Sequence, residues 1–197
     1  MLFRSSPDAA IREKAEAVVS KSLEVAEWMG VDTILVVPGV VNADTAYDEV
    51  YHRAQAGLRR LAPEAERRGV AIGVENVWNK FLLSPLEFAR FLDEIDSPSV
   101  GAYFDAGNVL LYGYPDQWIR ILGSRIKKVH VKDFKSNIGN GSGFCNPLQG
   151  DVPWARVRAA LEGIGYDEFV TAEVDGYKVH HEIGLKHIAE SLRTVFQ

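Results

Sequence analysis

Four apolar runs along the chain share one pattern: each carries an acidic residue or a histidine close to its end. The runs cover residues 70–76, 99–108, 126–134 and 168–176. The polar residues that they carry are, in chain order, Glu75, Asp105, His130 and Glu173. A continuous apolar run that stops on polar residues is typical of a buried parallel strand at the point where it leaves the core. We therefore predict four strands that each present one polar side chain near the carboxyl end.

Segments with helical periodicity separate these strands. A fifth apolar run, at 32–39, precedes the four, and residues 136–150, with four glycines, are predicted to form a loop. Pro63 is expected to kink or restart the helix that contains it. The predicted helices cover residues 7–29, 42–69, 84–95, 115–122, 153–161 and 183–196. From residue 32 onward five strands alternate with five helices, which predicts an α/β fold with a parallel sheet.

The four polar residues at the strand ends are candidate metal ligands. In α/β folds the ligand site lies at the carboxyl ends of the strands, so we expect these side chains to converge. Carboxylates and imidazole are common ligands of divalent cations. Each residue also has a structural alternative: a capping carboxylate at Glu75, a turn residue at Asp105, a core histidine at His130 and a salt-bridged carboxylate at Glu173. Their order on successive strands favours the metal site.

Composition limits the classes of protein to consider. The chain has 197 residues, 47% hydrophobic and 25% charged, which predicts one domain over residues 1–197 with a full core. The formal net charge of −5 disfavours a nucleic-acid partner. No apolar run has the roughly 18–20 residues of a membrane span, and the start lacks the apolar segment of a signal peptide. The single cysteine, Cys145, excludes an intrachain disulfide. We expect a cytoplasmic protein without a membrane partner.

The order Glu, Asp, His, Glu on successive strands resembles the xylose isomerase-like TIM-barrel superfamily. More closely, it is similar to the sugar phosphate isomerase/epimerase group with the ketose 3-epimerases. The segments that carry the resemblance are VENVWNKFLLSP, FDAGN, HVKDFK, GDVPW and AEV, at residues 74–85, 104–108, 130–135, 150–154 and 172–174. Only the later five strands of the family barrel are matched. The resemblance therefore implies a parallel, partial (β/α) TIM barrel of five β/α units, because a closed barrel has eight strands.

The resemblance also implies a metal and a chemistry. By it, Glu75, Asp105, His130 and Glu173 would bind one divalent cation, Mn²⁺, Mg²⁺ or Co²⁺. In the ketose 3-epimerases the metal polarises the ketose carbonyl and a neighbouring hydroxyl, which stabilises an enediolate. Glu75 and Glu173 would lie on opposite faces of the reacting carbon, one removing a proton and the other returning one, in an order that depends on the substrate's configuration. The implied function is a metal-dependent sugar or sugar-phosphate isomerase or epimerase of carbohydrate metabolism.

Four further residues are candidates for substrate binding: Trp78, Asn108, Lys132 and Asp133. Asn108 stands where some ketose epimerases place a substrate-binding histidine, and it is equally a turn former. Trp78 is either a pocket wall or an ordinary loop aromatic. Lys132 and Asp133 either support or contact the substrate or form an exposed pair at a strand end. Some relatives carry an arginine shortly after the metal histidine, where this chain has residues 136 and 137, Ser and Asn. These departures concern the sugar pocket and leave the ligand set intact.

Other functions stay open on the sequence. One is a metal-dependent dehydratase or lyase acting on an inositol-like polyol, a chemistry that the same superfamily contains. Another is a truncated, catalytically silent relative that serves as a metal-binding or assembling fold. An endonuclease IV-like repair enzyme is disfavoured, because its trinuclear site needs more histidines and its substrate favours a basic surface.

Five strands leave two sheet edges without a neighbour, which is a liability for such apolar strands. We expect a homodimer or a higher homo-oligomer in which an apolar interface covers these edges. The alternative is that the native protein begins before Met1 and carries the missing strands itself.

Overall fold

The computed structural model describes residues 5–197, and residues 1–4 of the predicted domain lie outside this part. The described chain divides into two compact units. The first comprises residues 5–103 together with Arg125–Lys127, and the second comprises Phe104–Ser124 and Lys128–Gln197.

The first unit alternates helices with parallel strands. Helix α1 (Ala9–Met29) begins after Asp8, whose carboxylate accepts the backbone N–H of Ala10, and it ends at Gly30 in the left-handed conformation, with φ of 70°. The following elements are β1 (Thr33–Val36), α2 (Tyr47–Arg68), β2 (Ala71–Glu75), α3 (Pro85–Asp93) and β3 (Val100–Asp105), the last two residues of β3 belonging to the second unit. Strand β1 pairs with β2 and β2 pairs with β3, both in parallel.

Helix α2 contains Pro63 and does not restart there, because the apolar stripe is buried on both sides of the missing N–H, with Leu61 before Pro63 and Ala65 after it. Its predicted start at residue 42 is wrong. The side chain of Asn42 accepts the N–H of Asp44 at 2.9 Å, and such a local bond closes a turn in competition with a helix.

Aromatic side chains fill the core of the first unit between α2 and α3. The rings of Phe81 and Phe91 meet edge to face with centroids 5.7 Å apart, and Tyr51 meets Phe91 in the same way at 5.1 Å. The buried carboxamide of Gln55 donates to the Phe91 carbonyl at 3.1 Å and to the Glu94 carboxylate at 2.9 Å. Since Phe81 belongs to the segment between β2 and α3, this cluster anchors the chain where it leaves β2.

The second unit contains the remaining elements. They are α4 (Ala106–Val109), α5 (Pro115–Leu122), β4 (Ile126–Val131), β5 (Asp133–Phe134), β6 (Phe144–Cys145), α6 (Trp154–Gly163), β7 (Val170–Ala172) and α7 (His181–Phe196), the first two residues of β4 belonging to the first unit. Strand β4 pairs with β7 in parallel, and β5 pairs with β6 antiparallel. The main sheet has the strand order β1-β2-β3-β4-β7. The predicted α/β class with five β/α units is confirmed.

Three short elements of the second unit were not predicted. The segment 136–150, expected to be a loop throughout, contains β6 and a 3₁₀ turn at Gly141–Gly143. Helix α4 follows β3 directly, and the carboxylate of Asp105 caps it by accepting the N–H of Asn108 at 2.7 Å. All three elements are too short for a periodic sequence signal.

Within residues 5–197, no helix combines the length and the apolar character that crossing a bilayer demands.

A pair of glycine substitutions tests the packing of the turn at 150–154. A Cβ added at Gly150 would lie 2.7 Å from the backbone N and O of Phe134, whereas one added at Gly163 would meet open space. We expect Gly150→Ala to lower the free energy of unfolding by about 1–3 kcal/mol, which lowers the Tm by roughly 2–4 °C per kcal/mol. Gly163→Ala, the control, leaves the Tm unchanged or raises it. Equal melting temperatures for the two variants in calorimetry would contradict this packing.

Candidate functional site

Three of the candidate metal ligands lie together in the second unit. Asp105, His130 and Glu173 each offer one ligand atom, and these atoms lie within 4.8 Å of one another. Strand pairing explains the approach of two of them. Val131 stands opposite Ala172, and the N–H of Glu173 donates to the Val131 carbonyl at 3.1 Å, so Glu173 continues the register one residue beyond β7.

The three side chains differ in their access to solvent. The Nδ1 atom of His130 lies 4.0 Å from Oδ2 of Asp105 and 3.7 Å from Oε2 of Glu173. Asp105 is completely buried and His130 nearly so, whereas 51% of the Glu173 side chain is exposed. Two carboxylates and an imidazole are a donor set that suits a divalent cation. The described residues therefore fit a metal ion that is buried on one side and open to a ligand on the other.

Lys132 is a cation within this group. Its Nζ lies 3.2 Å from Oδ2 of Asp105 and donates a closer hydrogen bond to Oε2 of Glu173. Its Nζ also lies 4.9 Å from the centre of the Phe144 ring. From the sequence, Lys132 is predicted to contact the substrate or to form an exposed pair with Asp133. In the structure its side chain is largely buried and neutralises carboxylates of the candidate site.

The ionisation of the site follows from these contacts. Burial alone would lower the pKa of Lys132, but the charges of Asp105 and Glu173 outweigh it, so the pKa is raised. Burial alone would raise the pKa of Glu173, but the hydrogen bond and charge of Lys132 hold it below its ordinary value. At neutral pH the ammonium and the Glu173 carboxylate are therefore both charged.

Asp133, a candidate substrate residue, is fully buried and its two oxygens accept three hydrogen bonds. Oδ1 accepts the N–H of Phe134 at 2.9 Å and the N–H of Val152 at 3.0 Å, and Oδ2 accepts the indole N–H of Trp154 at 2.9 Å. These bonds tie the GDVPW turn to β5. They support a structural role for Asp133.

Glu75 and Trp78 belong to the first unit. Glu75 is the last residue of β2 and is buried, and in the parallel register with β3 it stands opposite Tyr103. Trp78 lies in the bend that follows and is partly buried. Sequence reasoning missed Asn79, whose Nδ2 donates to the Gly39 carbonyl at 2.8 Å. No local sequence signal distinguishes this residue from an ordinary turn asparagine.

A cavity of about 360 Å³ lies beside Lys132 and Glu173, within the second unit. The segment 136–150 supplies part of the cavity wall through Ser142 and Asn146. Asp175, which follows β7, also lines the cavity. Sequence reasoning did not select these three residues. The available signal was their position in the segments that follow the strands carrying His130 and Glu173. Asn108, by contrast, is buried in α4, and its backbone N–H donates a hydrogen bond to Oδ1 of Asp105.

The sequence matches the family model of the xylose isomerase-like TIM barrel over residues 3–195. The chain is 26% identical over 162 residues to the L-ribulose-5-phosphate 3-epimerase UlaE of Salmonella paratyphi A. That match covers 82% of this chain and 56% of UlaE. The chain thus spans about half the length of the curated relatives that it matches.

Solved structures share the fold at lower identity. The IolI protein, crystallised with a bound zinc atom, has a TM-score of 0.87 at 19% identity, with 98% of this chain and 73% of that chain covered. A D-tagatose 3-epimerase-like protein has a TM-score of 0.83 at 22% identity, with 98% and 74% covered. The five strands and their helices are accordingly a partial α/β TIM barrel. Because the family match extends over nearly the whole chain, the protein belongs to the xylose isomerase-like TIM-barrel family.

Proposed function

We propose that the chain is a divalent-metal-dependent sugar isomerase or epimerase that moves a proton at the carbon next to a ketose carbonyl. The observation that carries the proposal is the group of Asp105, His130 and Glu173, whose ligand atoms lie within 4.8 Å of one another. The name of the relative UlaE, a 3-epimerase, points to the same chemistry. The match covers 56% of UlaE, so the activity of this chain needs its own measurement.

Glu75 is proposed as the fourth metal ligand. The support is its position: it ends β2 opposite Tyr103, and Asp105 follows two residues later on β3. Residues two apart on a strand face the same side, so Asp105 lies on the face of Tyr103. A metal ion held by this set would polarise the ketose carbonyl and make the adjacent C–H more acidic.

The proton transfers are assigned to the two glutamates. Glu173 keeps a pKa below its ordinary value and has half of its side chain exposed, so it is an ionised carboxylate within reach of a ligand. Glu75, which is buried, is proposed to act from the opposite face of the carbon. Lys132, charged and adjacent to Glu173, is proposed to hydrogen-bond a substrate oxygen and to limit the build-up of negative charge.

Metal binding is the first test. We expect the chain, stripped with EDTA, to bind about one Mn²⁺ in isothermal titration calorimetry. Asp105→Asn retains an oxygen that can cap α4 but loses a charged ligand, so we expect the affinity to fall at least about tenfold. The control Asp167→Asn changes an exposed carboxylate of the same unit and leaves the affinity unchanged. Equal affinity in the two variants would refute the proposed ligand set.

Proton transfer is the second test. Glu173→Gln fills the same volume but cannot accept a proton, so we expect turnover of a ketose to fall about 10²–10⁴-fold with little change in Tm. The reaction is followed by NMR as exchange of the substrate C–H in D₂O. The control is Glu168→Gln, which removes the exposed ion pair with Lys128 and keeps turnover.

The outcomes separate the alternatives. Unchanged turnover in Glu173→Gln would overturn the two-glutamate mechanism. A wild-type chain that binds the metal but exchanges no substrate proton would instead favour the catalytically silent alternative. A product that has lost water would favour the polyol dehydratase.

We also propose that two copies associate through the β1 edge of the first unit. Strand β1 stands first in the strand order, and helix α1 beside it exposes Trp28 at 86% and Met29 at 64%. An apolar groove of about 410 Å³ runs between α1 and residues 31–34. A second copy would cover these apolar groups and the edge of β1 that faces away from β2.

Light scattering after size exclusion tests the association. We expect twice the chain mass of 21.9 kDa, and a shift towards the monomer for Trp28→Lys. Leu86→Lys, at a residue on α3 that is 70% exposed, is the matched control and keeps the dimer mass. A monodisperse monomer of the wild-type chain at micromolar concentration would refute the proposal.

A further inference from the structure

The cavity beside Lys132 and Glu173 has the size and position of a ligand pocket. Its volume of about 360 Å³ lies within the roughly 300–1,000 Å³ of small-molecule sites. It adjoins the carboxylate proposed to move the proton, so it is placed to receive the part of a substrate beyond the reacting carbon. Its chemistry therefore bears on which sugar enters.

The charges on the wall of this cavity do not favour a phosphate. Among the residues of the described chain that line it, Lys132 is the cation, and Glu173 and Asp175 are anions. The ammonium already contacts Glu173 and Asp105, so its charge is shared with two carboxylates. With Glu75 as the proposed fourth ligand, the three carboxylates would together balance a bound divalent cation and the Lys132 ammonium. A phosphate dianion would thus enter a region without surplus positive charge.

The backbone amides of the 3₁₀ turn beside this wall are also engaged. Phosphate sites commonly use free N–H groups of a turn or of a helix N-terminus. Here the N–H of Ser142 donates to Oδ1 of Asn140 at 2.9 Å, and the N–H of Gly143 donates to the Asn140 carbonyl at 2.8 Å. The N–H of Phe144 donates to the Gly141 carbonyl. These three amides hold the 3₁₀ turn together and are not available as an anion cradle.

The side chains on the wall suit hydroxyl groups instead. Ser142 supplies a hydroxyl, Asn146 a carboxamide with both donors and acceptors, and Asp175 an exposed carboxylate acceptor. We infer that the substrate is an unphosphorylated polyhydroxy ketose whose hydroxyls beyond the reacting carbon bind Ser142, Asn146 and Asp175. This inference rests on the proposed function, and it selects the free sugar over a phosphate ester such as UlaE's name specifies.

The first experiment compares free ketopentoses and ketohexoses with their terminal phosphate esters on the Mn²⁺-supplemented chain. We expect kcat/KM to be at least about tenfold larger for a free sugar, and calorimetry to show tighter binding of that sugar than of its ester. Preference for the ester would overturn the inference and leave the proposed function standing. No turnover of either class would overturn the proposed function and this inference with it.

Variants of the wall form the second experiment. We expect Asn146→Ala to raise KM for the free ketose about fivefold or more with kcat retained, since it removes a contact made equally in the ground and transition states. Asp175→Lys should shift the ratio of kcat/KM values towards the phosphate ester by at least about tenfold. The control Asp167→Lys makes the same change of charge at an exposed site outside the cavity wall.

The comparison of Asp175→Lys with Asp167→Lys decides whether Asp175 contacts the substrate. A shift in Asp175→Lys that is no larger than in Asp167→Lys would refute a substrate contact at Asp175. Thermal melts and Mn²⁺ titrations of each variant separate a loss of folding or of metal binding from a change in sugar selectivity.

Discussion

A carboxyl group that is wholly withdrawn from water needs hydrogen-bond donors or cations beside it, and Asp105 is such a group. The N–H of Asn108 satisfies Oδ1, while the ammonium of Lys132 and the imidazole of His130 lie near Oδ2. These partners come from a helix start and from the end of β4. The arrangement of the second unit around Asp105 therefore depends on supplying this buried carboxyl group with polar partners.

Lys132 connects the compensation of buried Asp105 with the proposed metal site. Its ammonium neutralises Asp105 and Glu173, which are also the carboxylates proposed to hold a divalent cation. If a divalent cation binds here, the same negative charges would serve two cations, the Lys132 ammonium and the metal ion. The Lys132 ammonium would then be partly free to hydrogen-bond a ligand. Such a coupling would let a lysine among the proposed metal ligands also bind a negatively polarised substrate oxygen.

The wall of the cavity depends on a second buried carboxylate. Asp133 holds the turn at 150–154 through the N–H of Val152 and the indole of Trp154, and it does so from β5, the strand that pairs with β6. Strand β6 in turn carries the segment with Ser142 and Asn146 to the edge of the cavity. The two buried aspartates thus have different roles. Asp105 is a proposed metal ligand, and Asp133 stabilises the segments that form the wall of the cavity.

The sequence alone determined the α/β class, the alternation of five strands with helices, and the residues that end the strands, because these follow from local periodicity and from the cost of burying charge. Helices α1 and α5 followed the predicted segments closely, since capping and turn residues mark their ends. Only the tertiary structure decided the partners of Lys132, the donors that Val152 and Trp154 supply to Asp133, and the pairing of β5 with β6. These contacts join residues far apart in the chain or elements of two residues, and neither leaves a periodic signal in the sequence.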